Sequence, residues 1–209
     1  MNLGLSINGG KRIDIGDNYL NIYGLLTFDN GYRFIDGNVK NTNSAGSIYL
    51  DQDFDKYEYE TSQIGQFNVD YRFGKNNIEF LTMYIRKNTQ SFQEYEGINN
   101  PEQEGDRVFV RRQQTNDNNL YVSQLLSHFQ LNDRLDLDLK GSFNALRGSE
   151  PDRRNFEYLF RDGFYSPNID SGGNNQRFFS KVQENDYNAN ALLKYDLNTD
   201  EEDERPNYF

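Results

Sequence analysis

The sequence predicts an all-β fold: an antiparallel up-and-down segment of a transmembrane β-barrel, with about seven strands. Three observations lead to this fold class. Apolar and polar residues alternate strictly on both sides of a tight turn between Gln66 and Arg86. Aromatic residues make up 15% of a 209-residue chain whose mean hydropathy is only -0.94. Short turns and long polar segments also alternate along the chain, as they do in outer-membrane barrels.

The clearest predicted element is the hairpin between Gln66 and Arg86. Its turn is the polar segment Gly74-Lys75-Asn76-Asn77, and its second strand begins at Ile78. The apolar residues before the turn share one face of an extended strand: Phe67, Val69, Tyr71 and Phe73. The residues of the other face are polar: Gln66, Asn68, Asp70 and Arg72. Such a strand suits a barrel wall that separates lipid from water.

The other strands are predicted from the same period-two alternation. In chain order, the strands lie at residues 3–15, 19–34, a segment ending at 73, 78–87, 120–131, 135–145 and 187–197. The connections after Ile15, Phe73 and Leu131 are short. Three longer polar segments are predicted to be loops: 37–46, 88–118 and 146–186. Outer-membrane barrels place short turns on the periplasmic side and long loops on the extracellular side.

The sixth strand shows the polarity of the predicted wall most clearly. Two sets of residues alternate along it: Asp136, Asp138 and Lys140 against Leu137, Leu139 and Phe143. We expect the first set to face water or a body inside the barrel, with Lys140 or Arg72 as ion-pair partners, and the second set to face lipid. Aromatic residues close to the short turns are expected to form an interfacial girdle: Tyr71, Phe73, Phe129 and Tyr195.

The fifth strand carries apolar residues on both faces. Its two sets are Leu120, Val122 and Leu126 against Tyr121, Leu125 and Phe129. Two interpretations remain open. Part of the inner side packs against something inside the barrel, or a bulge shifts the register within the strand.

Three short segments resemble the barrel of TonB-dependent outer-membrane receptors, particularly those of Bacteroidetes-type bacteria. The first is Gly148–Arg154, an E-P-D-x-R segment that follows a predicted barrel strand. The second, Asp29–Gly37, resembles an upper strand and loop of these barrels. The third is Tyr57–Thr61, which leads into Ile64-Gly65. By these segments the whole chain is similar to the barrel domain of this family.

The resemblance implies that residues 1–209 are an internal part of a receptor barrel, with Phe209 as a truncation point. Members of the family have about twenty-two strands around a plug, so the plug domain and the remaining strands would lie outside this chain. The implied function is to bind a ligand, such as a siderophore or a glycan, and to import it across the Gram-negative cell outer membrane. The implied partners are outer-membrane lipid, the plug, the rest of the barrel and, indirectly, the TonB complex.

The candidates for ligand contact lie in the last predicted long loop: Phe156, Tyr158, Phe160, Arg161, Phe164 and Tyr165. Aromatic rings with interspersed arginine suit sugars, siderophores or hydrophobic ligands. The alternative is that these rings pack the external loops against each other. The pairs Arg111-Arg112 and Arg153-Arg154 are candidates to attract an anionic ligand or lipopolysaccharide phosphates.

Composition argues against other kinds of site. The chain has no cysteine and one histidine, His128, which excludes thiolate and multi-histidine metal sites. Asp51–Asp55 begins like a calcium loop, but Lys56 and Ser62 stand where glycine and glutamate are expected. A net charge of -11 argues against a nucleic-acid partner, which needs a basic surface. We therefore expect no catalytic residue, no metal and no cofactor, and hence no enzyme.

Two other classes of function remain open. A soluble secreted β-sheet binding module, for example for carbohydrate, would bring its apolar faces together in one core. An outer-membrane porin would need closure by an even set of strands. An enzyme in the same membrane would need a nucleophile and a base, for which the sequence offers no candidate pair.

Overall fold

The computed structural model describes residues 2–99, 107–169 and 173–197. These residues form one antiparallel sheet of eight strands. The strands are β1 (Leu3–Ile15), β2 (Asn18–Thr42), β3 (Ile48–Phe73), β4 (Asn76–Asn99), β5 (Arg107–Asn132), β6 (Leu135–Arg161), β7 (Phe164–Pro167) and β8 (Gln176–Tyr195). The predicted all-β, antiparallel up-and-down fold is confirmed, and the described strands do not close into a barrel.

Strands β1 to β6 are neighbours in chain order, and the last two strands share one edge. β7 pairs with β6 along Tyr158–Arg161, and β8 pairs with β6 along Leu135–Asn155. Because β5 takes the other side of β6, β7 and β8 follow one another along the same side. The sheet has eight strands where the sequence predicts about seven, because β7 lies in a segment predicted to be a loop. The edges of the sheet are β1 and β7–β8.

The three short turns lie where the sequence predicts them and mark one end of the sheet, the short-turn end. They fall at residues 16–17, 74–75 and 133–134. Gly16 and Gly74 have positive φ angles of 63° and 55°, a conformation that glycine adopts without steric cost. Two-residue turns of this kind fix the register of the strands on either side.

The predicted long loops are wrong, because most of their residues belong to strands. β2 continues to Thr42, β4 continues to Asn99, and β6 continues to Arg161. At the far side of two of these segments, β5 begins at Arg107 and β8 begins at Gln176. The sheet therefore extends far beyond the hydrophobic part of each strand, in the direction away from the short-turn end.

Polar pairs between strands explain this extension. Arg111 Nη2 lies 2.6 Å from Glu94 Oε1, and Arg86 Nη2 lies 2.7 Å from Asp117 Oδ2. Opposite charges across a strand pair stabilise a sheet modestly. The alternation of faces continues in these segments, although most of their side chains are polar on both faces. Strands of 24–27 residues therefore resemble short strands joined by polar loops when only the sequence is read.

Near the short-turn end the sheet has two chemically different faces, because residues opposite each other in register share a face. One row across β2, β3 and β4 carries Leu20, Tyr71 and Ile78. The adjacent row points to the other side and carries Asn21, Asp70 and Glu79. We call these surfaces the apolar face and the polar face. The predicted separation of the two sets of residues between Gln66 and Phe73 is confirmed.

The sheet is a single layer that buries little apolar surface. Val108 and Leu159 are the only apolar side chains that are buried among the described residues. Leu5, Ile7 and Leu26 on the apolar face are 64–66% exposed. A soluble sheet covers such a face with a second layer. The described residues thus show no core of the kind that a soluble binding module requires.

Strand β5 keeps its predicted apolar residues on both faces. Its register with β4 is unbroken, and its register with β6 is unbroken from Asp117 to Gln130. Leu120, Val122 and Leu126 lie within this stretch, on the polar face. A bulge therefore does not account for them, and packing against an inner body stays a prediction.

Candidate functional site

The apolar face carries apolar side chains, most of them aliphatic, between two sets of aromatic rings. The lower set, near the short-turn end, is Tyr71, Phe73, Phe129 and Tyr195, and the upper set is Tyr84, Tyr121, Phe143 and Tyr187. In the upper set, the ring of Phe143 lies 6.0 Å from that of Tyr121 and 4.9 Å from that of Tyr187. Between the two sets lie Val69, Ile78, Phe80, Leu125, Leu139 and Ala191. We call this surface the apolar band.

The height of the apolar band is that of one bilayer crossing. Along β5 the band extends from Phe129 to Tyr121, about nine residues at roughly 3.3 Å each. A tilted strand needs about 9–11 residues to cross the hydrocarbon core of a bilayer. Aromatic rings at both borders are the arrangement that transmembrane strands use at the two interfaces.

On the polar face, behind the apolar band, charged side chains form a network. Asp138 joins two partners: His128 Nδ1 lies 2.6 Å from one carboxylate oxygen, and Lys194 Nζ lies 2.8 Å from the other. The sequence predicts Lys140 or Arg72 as the ion-pair partner of Asp138. The partner is instead Lys194, which lies on the neighbouring strand β8. The contact gives His128 a structural partner in the wall.

Asp70, on the same face, has a carboxylate that is only partly satisfied. Its Oδ2 atom accepts hydrogen bonds from Asn21 Nδ2 and Arg72 Nε, both at 3.1 Å. Its Oδ1 atom is buried and has no hydrogen-bond partner among the described residues. A buried acceptor without a partner is costly. The polar face therefore carries a buried acceptor at this position that a further hydrogen-bond donor would stabilise.

The six residues predicted for ligand contact lie in a hairpin, so the prediction of a loop is wrong. Four of them end β6: Phe156, Tyr158, Phe160 and Arg161. The other two begin β7: Phe164 and Tyr165. Asp162 and Gly163 turn the chain with φ angles of 55° and 89°, the Asp-Gly combination that favours a two-residue hairpin turn.

The hairpin brings three of these rings together with Phe109 of β5. Phe109 lies 6.1 Å from Tyr158 and 5.9 Å from Tyr165, and Tyr165 lies 5.1 Å from Phe160. The Tyr165 hydroxyl donates to Glu96 Oε1 at 2.8 Å. Burial raises the pKa of Tyr165, and the hydrogen bond to Glu96 raises it further. These contacts show the rings packed against each other.

The register divides the six residues between the two faces of the sheet. Phe156, Tyr158, Phe160 and Tyr165 lie on the face that carries the apolar band, farther from the short-turn end. Arg161 and Phe164 are opposite each other on the polar face. The six residues therefore do not form one surface. Their contact with a ligand stays a prediction.

The segment Gly148–Arg154 forms an irregularity in β6. Its register with β8 shifts between Glu150 and Arg153, where Pro151 removes a backbone donor without breaking a regular ladder. The Asp152 carboxylate lies 2.6 Å from Arg177 and 2.7 Å from Arg154. Hydrogen bonds from Arg177 and Arg154 lower the pKa of Asp152 to about 2. One carboxylate thus lies between two arginines that stand opposite each other and offsets part of their charge.

The arginines predicted to attract anions are occupied within the wall. Arg111 pairs with Glu94, and Arg112 donates to Asn155 at 3.3 Å. Arg153 lies 4.4 Å from the centre of the Phe178 ring. These contacts reduce the positive potential available to an anionic ligand at each position.

The Asp51–Asp55 segment lies in β3 and not in a loop. Its three aspartates share a face, and Asp51 contacts Lys40 at 2.8 Å while Asn38 donates to Asp51 and Asp53. Hydrogen bonds from Lys40 and Asn38 lower the pKa of Asp51. No group of three or more metal-ligating side chains is placed to hold an ion in the described part of the chain.

The sequence does not predict a group of five aromatic rings above the apolar band, of which the first three are exposed and the last two half-buried: Tyr32, Phe34, Tyr57, Tyr59 and Phe92. The signal was present as two pairs of aromatic residues at a spacing of two, on β2 and β3. Only the register shows that the pairs stand opposite each other. We call this group the aromatic platform.

The fold and its two faces define the class as an open, amphipathic antiparallel β-sheet. No family model and no curated protein matches the sequence. Among residues 2–99, 107–169 and 173–197, no helix is long and apolar enough to cross a membrane.

Proposed function

We propose that this chain is part of the wall of an outer-membrane β-barrel, of the TonB-dependent receptor class, that binds a ligand and imports it. The observation that carries the proposal is the exposed apolar band between two sets of aromatic rings. Leu125 and Leu139 at its centre are exposed, and exposed apolar surface of this extent is a liability in water. Lipid removes that liability, and the aromatic borders fit the two interfaces.

The polar face supports an aqueous interior. Asp138, Lys194 and Asp70 lie directly behind the apolar band. In a barrel they line the lumen. Leu120 and Val122 on the same face, together with the unpartnered Oδ1 of Asp70, fit a lumen that contains a folded body such as the plug of the family.

The open edges support a barrel completed by further strands. β1 pairs only with β2 among the described strands, and every residue of β1 is exposed. In a membrane, unpaired backbone groups along an edge strand are too costly to persist. A closed barrel removes both edges. The proposed partners are therefore the remaining strands, outer-membrane lipid and, through the plug, the TonB complex.

The test is whether the full chain needs a lipid-like environment to fold. We expect it to stay dispersed and β-rich in detergent micelles, to aggregate when the detergent is removed, and to migrate differently in gels before and after heating. A monodisperse monomer in detergent-free buffer, with a sharp unfolding transition, contradicts the proposal and favours a soluble module.

A further inference from the structure

The aromatic platform is an open surface of closely spaced rings. Tyr32 and Tyr59 are stacked with their centres 4.3 Å apart, and Phe34 lies 4.9 Å from Tyr57. Phe92 extends the group onto β4, 6.2 Å from Tyr57. Tyr32, Phe34 and Tyr57 are 49–58% exposed. Ring faces are thus available to a flat ligand.

The rings border a cleft of about 470 Å³, whose lining includes Gln90 beside the aromatic side chains. This volume lies within the range of about 300–1,000 Å³ that is common for small-molecule sites. Gln90 is exposed and stands opposite Tyr59. The cleft therefore combines apolar ring faces with an amide and three phenol hydroxyls.

Rows of hydrogen-bonding side chains border the platform on both sides. The row nearer the apolar band is Asn30, Thr61 and Asn88, and the row on the far side is Asp36, Asp55 and Glu94. Asp36 and Asp55 stand directly opposite each other and are exposed. Like charges in this position destabilise a sheet. Neither carboxylate has a hydrogen bond or an ion pair in the described part of the chain.

The charge of this border selects among flat ligands. Two adjacent carboxylates repel phosphates and other anions, and so they disfavour nucleotides. They are good acceptors for hydroxyl groups. The ring faces attract weakly polar C–H groups. A neutral sugar presents C–H groups on the faces of its ring and hydroxyls at its edges, and so meets both demands.

We propose that the aromatic platform binds a neutral, hexose-type saccharide, with sugar rings stacked on Tyr32 and Tyr57 and hydroxyls bonded to Gln90 and Asp55. Our inference about where the saccharide comes from rests on the proposed function. The platform lies on the face of the apolar band, and Tyr57 is about ten residues, or roughly 33 Å along β3, beyond Phe67. It would stand outside the barrel, above the lipid. The occupant is the saccharide chain of an outer-leaflet glycolipid, away from the lumen.

The test measures saccharide binding to the full chain in lipid nanodiscs by saturation-transfer NMR. The soluble probes are maltohexaose and a neutral O-polysaccharide fragment released from a lipopolysaccharide. We expect both to bind. Tyr57→Ala and Tyr32→Ala should each weaken binding by about fivefold or more, whereas Tyr57→Phe, which keeps the ring, should stay close to the original protein.

Tyr23→Ala is the matched control, because Tyr23 is an exposed tyrosine (38%) on the polar face. It should leave binding unchanged. Absence of saturation transfer to the folded original protein, or equal losses in Tyr23→Ala and Tyr57→Ala, overturns the platform as a saccharide site.

A second arm tests the source by placing intact lipopolysaccharide in the nanodisc. If intact lipopolysaccharide competes with maltohexaose for the original protein and does not compete in Tyr57→Ala, the glycolipid is supported as the source of the saccharide. Binding of the free saccharides without such competition overturns the glycolipid as the source. Binding of the soluble saccharides does not require the chain to be inserted in lipid. A failure of the membrane proposal is therefore measured separately: the chain would fold without lipid and would not aggregate.

Discussion

The rings of Phe73 on β3 and Phe129 on β5 lie 6.5 Å apart, although β4 runs between their strands. Asn76 opens the gap: it stands opposite Phe73 at the start of β4, and its side chain is turned aside to accept a hydrogen bond from the Gln130 backbone at 2.7 Å. The lower set of rings is thus continuous across three strands. A continuous aromatic border is what an interface between lipid and water requires.

This contact predicts an energetic coupling between Phe73 and Phe129. Each single alanine variant should lower the free energy of unfolding. The double variant should lose less than the sum, by about 0.5–1.5 kcal/mol, which is typical of an aromatic pair. Urea unfolding in lipid bilayers measures all four proteins of the cycle. Strict additivity would show that the two rings do not interact.

The apolar band predicts a strong asymmetry between neighbouring residues of β5. Leu125→Arg places a charge at the centre of the band and should cost about 2–4 kcal/mol in a bilayer. Gln124→Arg is the matched control, since Gln124 points to the polar face, and it should cost much less. Equal effects of the two variants on bilayer unfolding free energy would contradict the assignment of faces.

The ion pairs of Asp152 predict an acid-sensitive contact. In the folded chain Arg177 and Arg154 lower the pKa of Asp152 from 3.8 to about 2. Because the pKa is lower in the folded chain, the ion pairs stabilise the fold at any pH above the pKa of Asp152 in the unfolded chain. This stabilisation is lost as the pH falls towards 2. Carbon-detected NMR titration of the carboxyl group measures this. Arg177→Gln should move the pKa of Asp152 back towards 3.8, and an unchanged value would disprove the role of Arg177.

The β6–β7 turn predicts a position-specific effect of adding a methyl group. Gly163 has a φ of 89°, so Gly163→Ala should destabilise the hairpin by about 1 kcal/mol. Gly141 in β6 has equally open surroundings and a conventional backbone, and Gly141→Ala is therefore the control. Amide hydrogen exchange at Phe164 and Tyr165 reports the difference. Identical exchange in both variants would contradict the proposed strain.

The sequence predicts the faces of the strands well, because a period of two needs no tertiary information. Phe67 and Asn68 are assigned correctly from alternation alone, as are the short turns at Gly16 and Gly74. The strand ends are predicted badly. Beyond Phe34 and Lys87 most side chains are polar, and some of them are stabilised by partners on neighbouring strands, as in the pairs Lys40–Asp51 and Glu94–Arg111.

The candidate site is only partly predictable, because its composition can be seen in the sequence but its strand pairing cannot. Aromatic enrichment near Tyr158 and Tyr165 is visible in the sequence, but their division from Arg161 and Phe164 depends on a turn at Asp162 that the sequence reading placed inside a loop. The aromatic platform depends on the register between β2 and β3, which requires the positions of residues far apart in the chain.

The most direct test of the central claim uses the absence of cysteine from the chain. Single cysteines at positions 66–72, labelled with an environment-sensitive fluorophore in lipid nanodiscs, report which solvent each side chain meets. We expect labels at Phe67, Val69 and Tyr71 to be quenched by spin-labelled lipid, and labels at Gln66, Asn68 and Asp70 to be quenched by aqueous iodide. Iodide quenching at all seven positions, with no period of two, would show that this wall does not face a membrane.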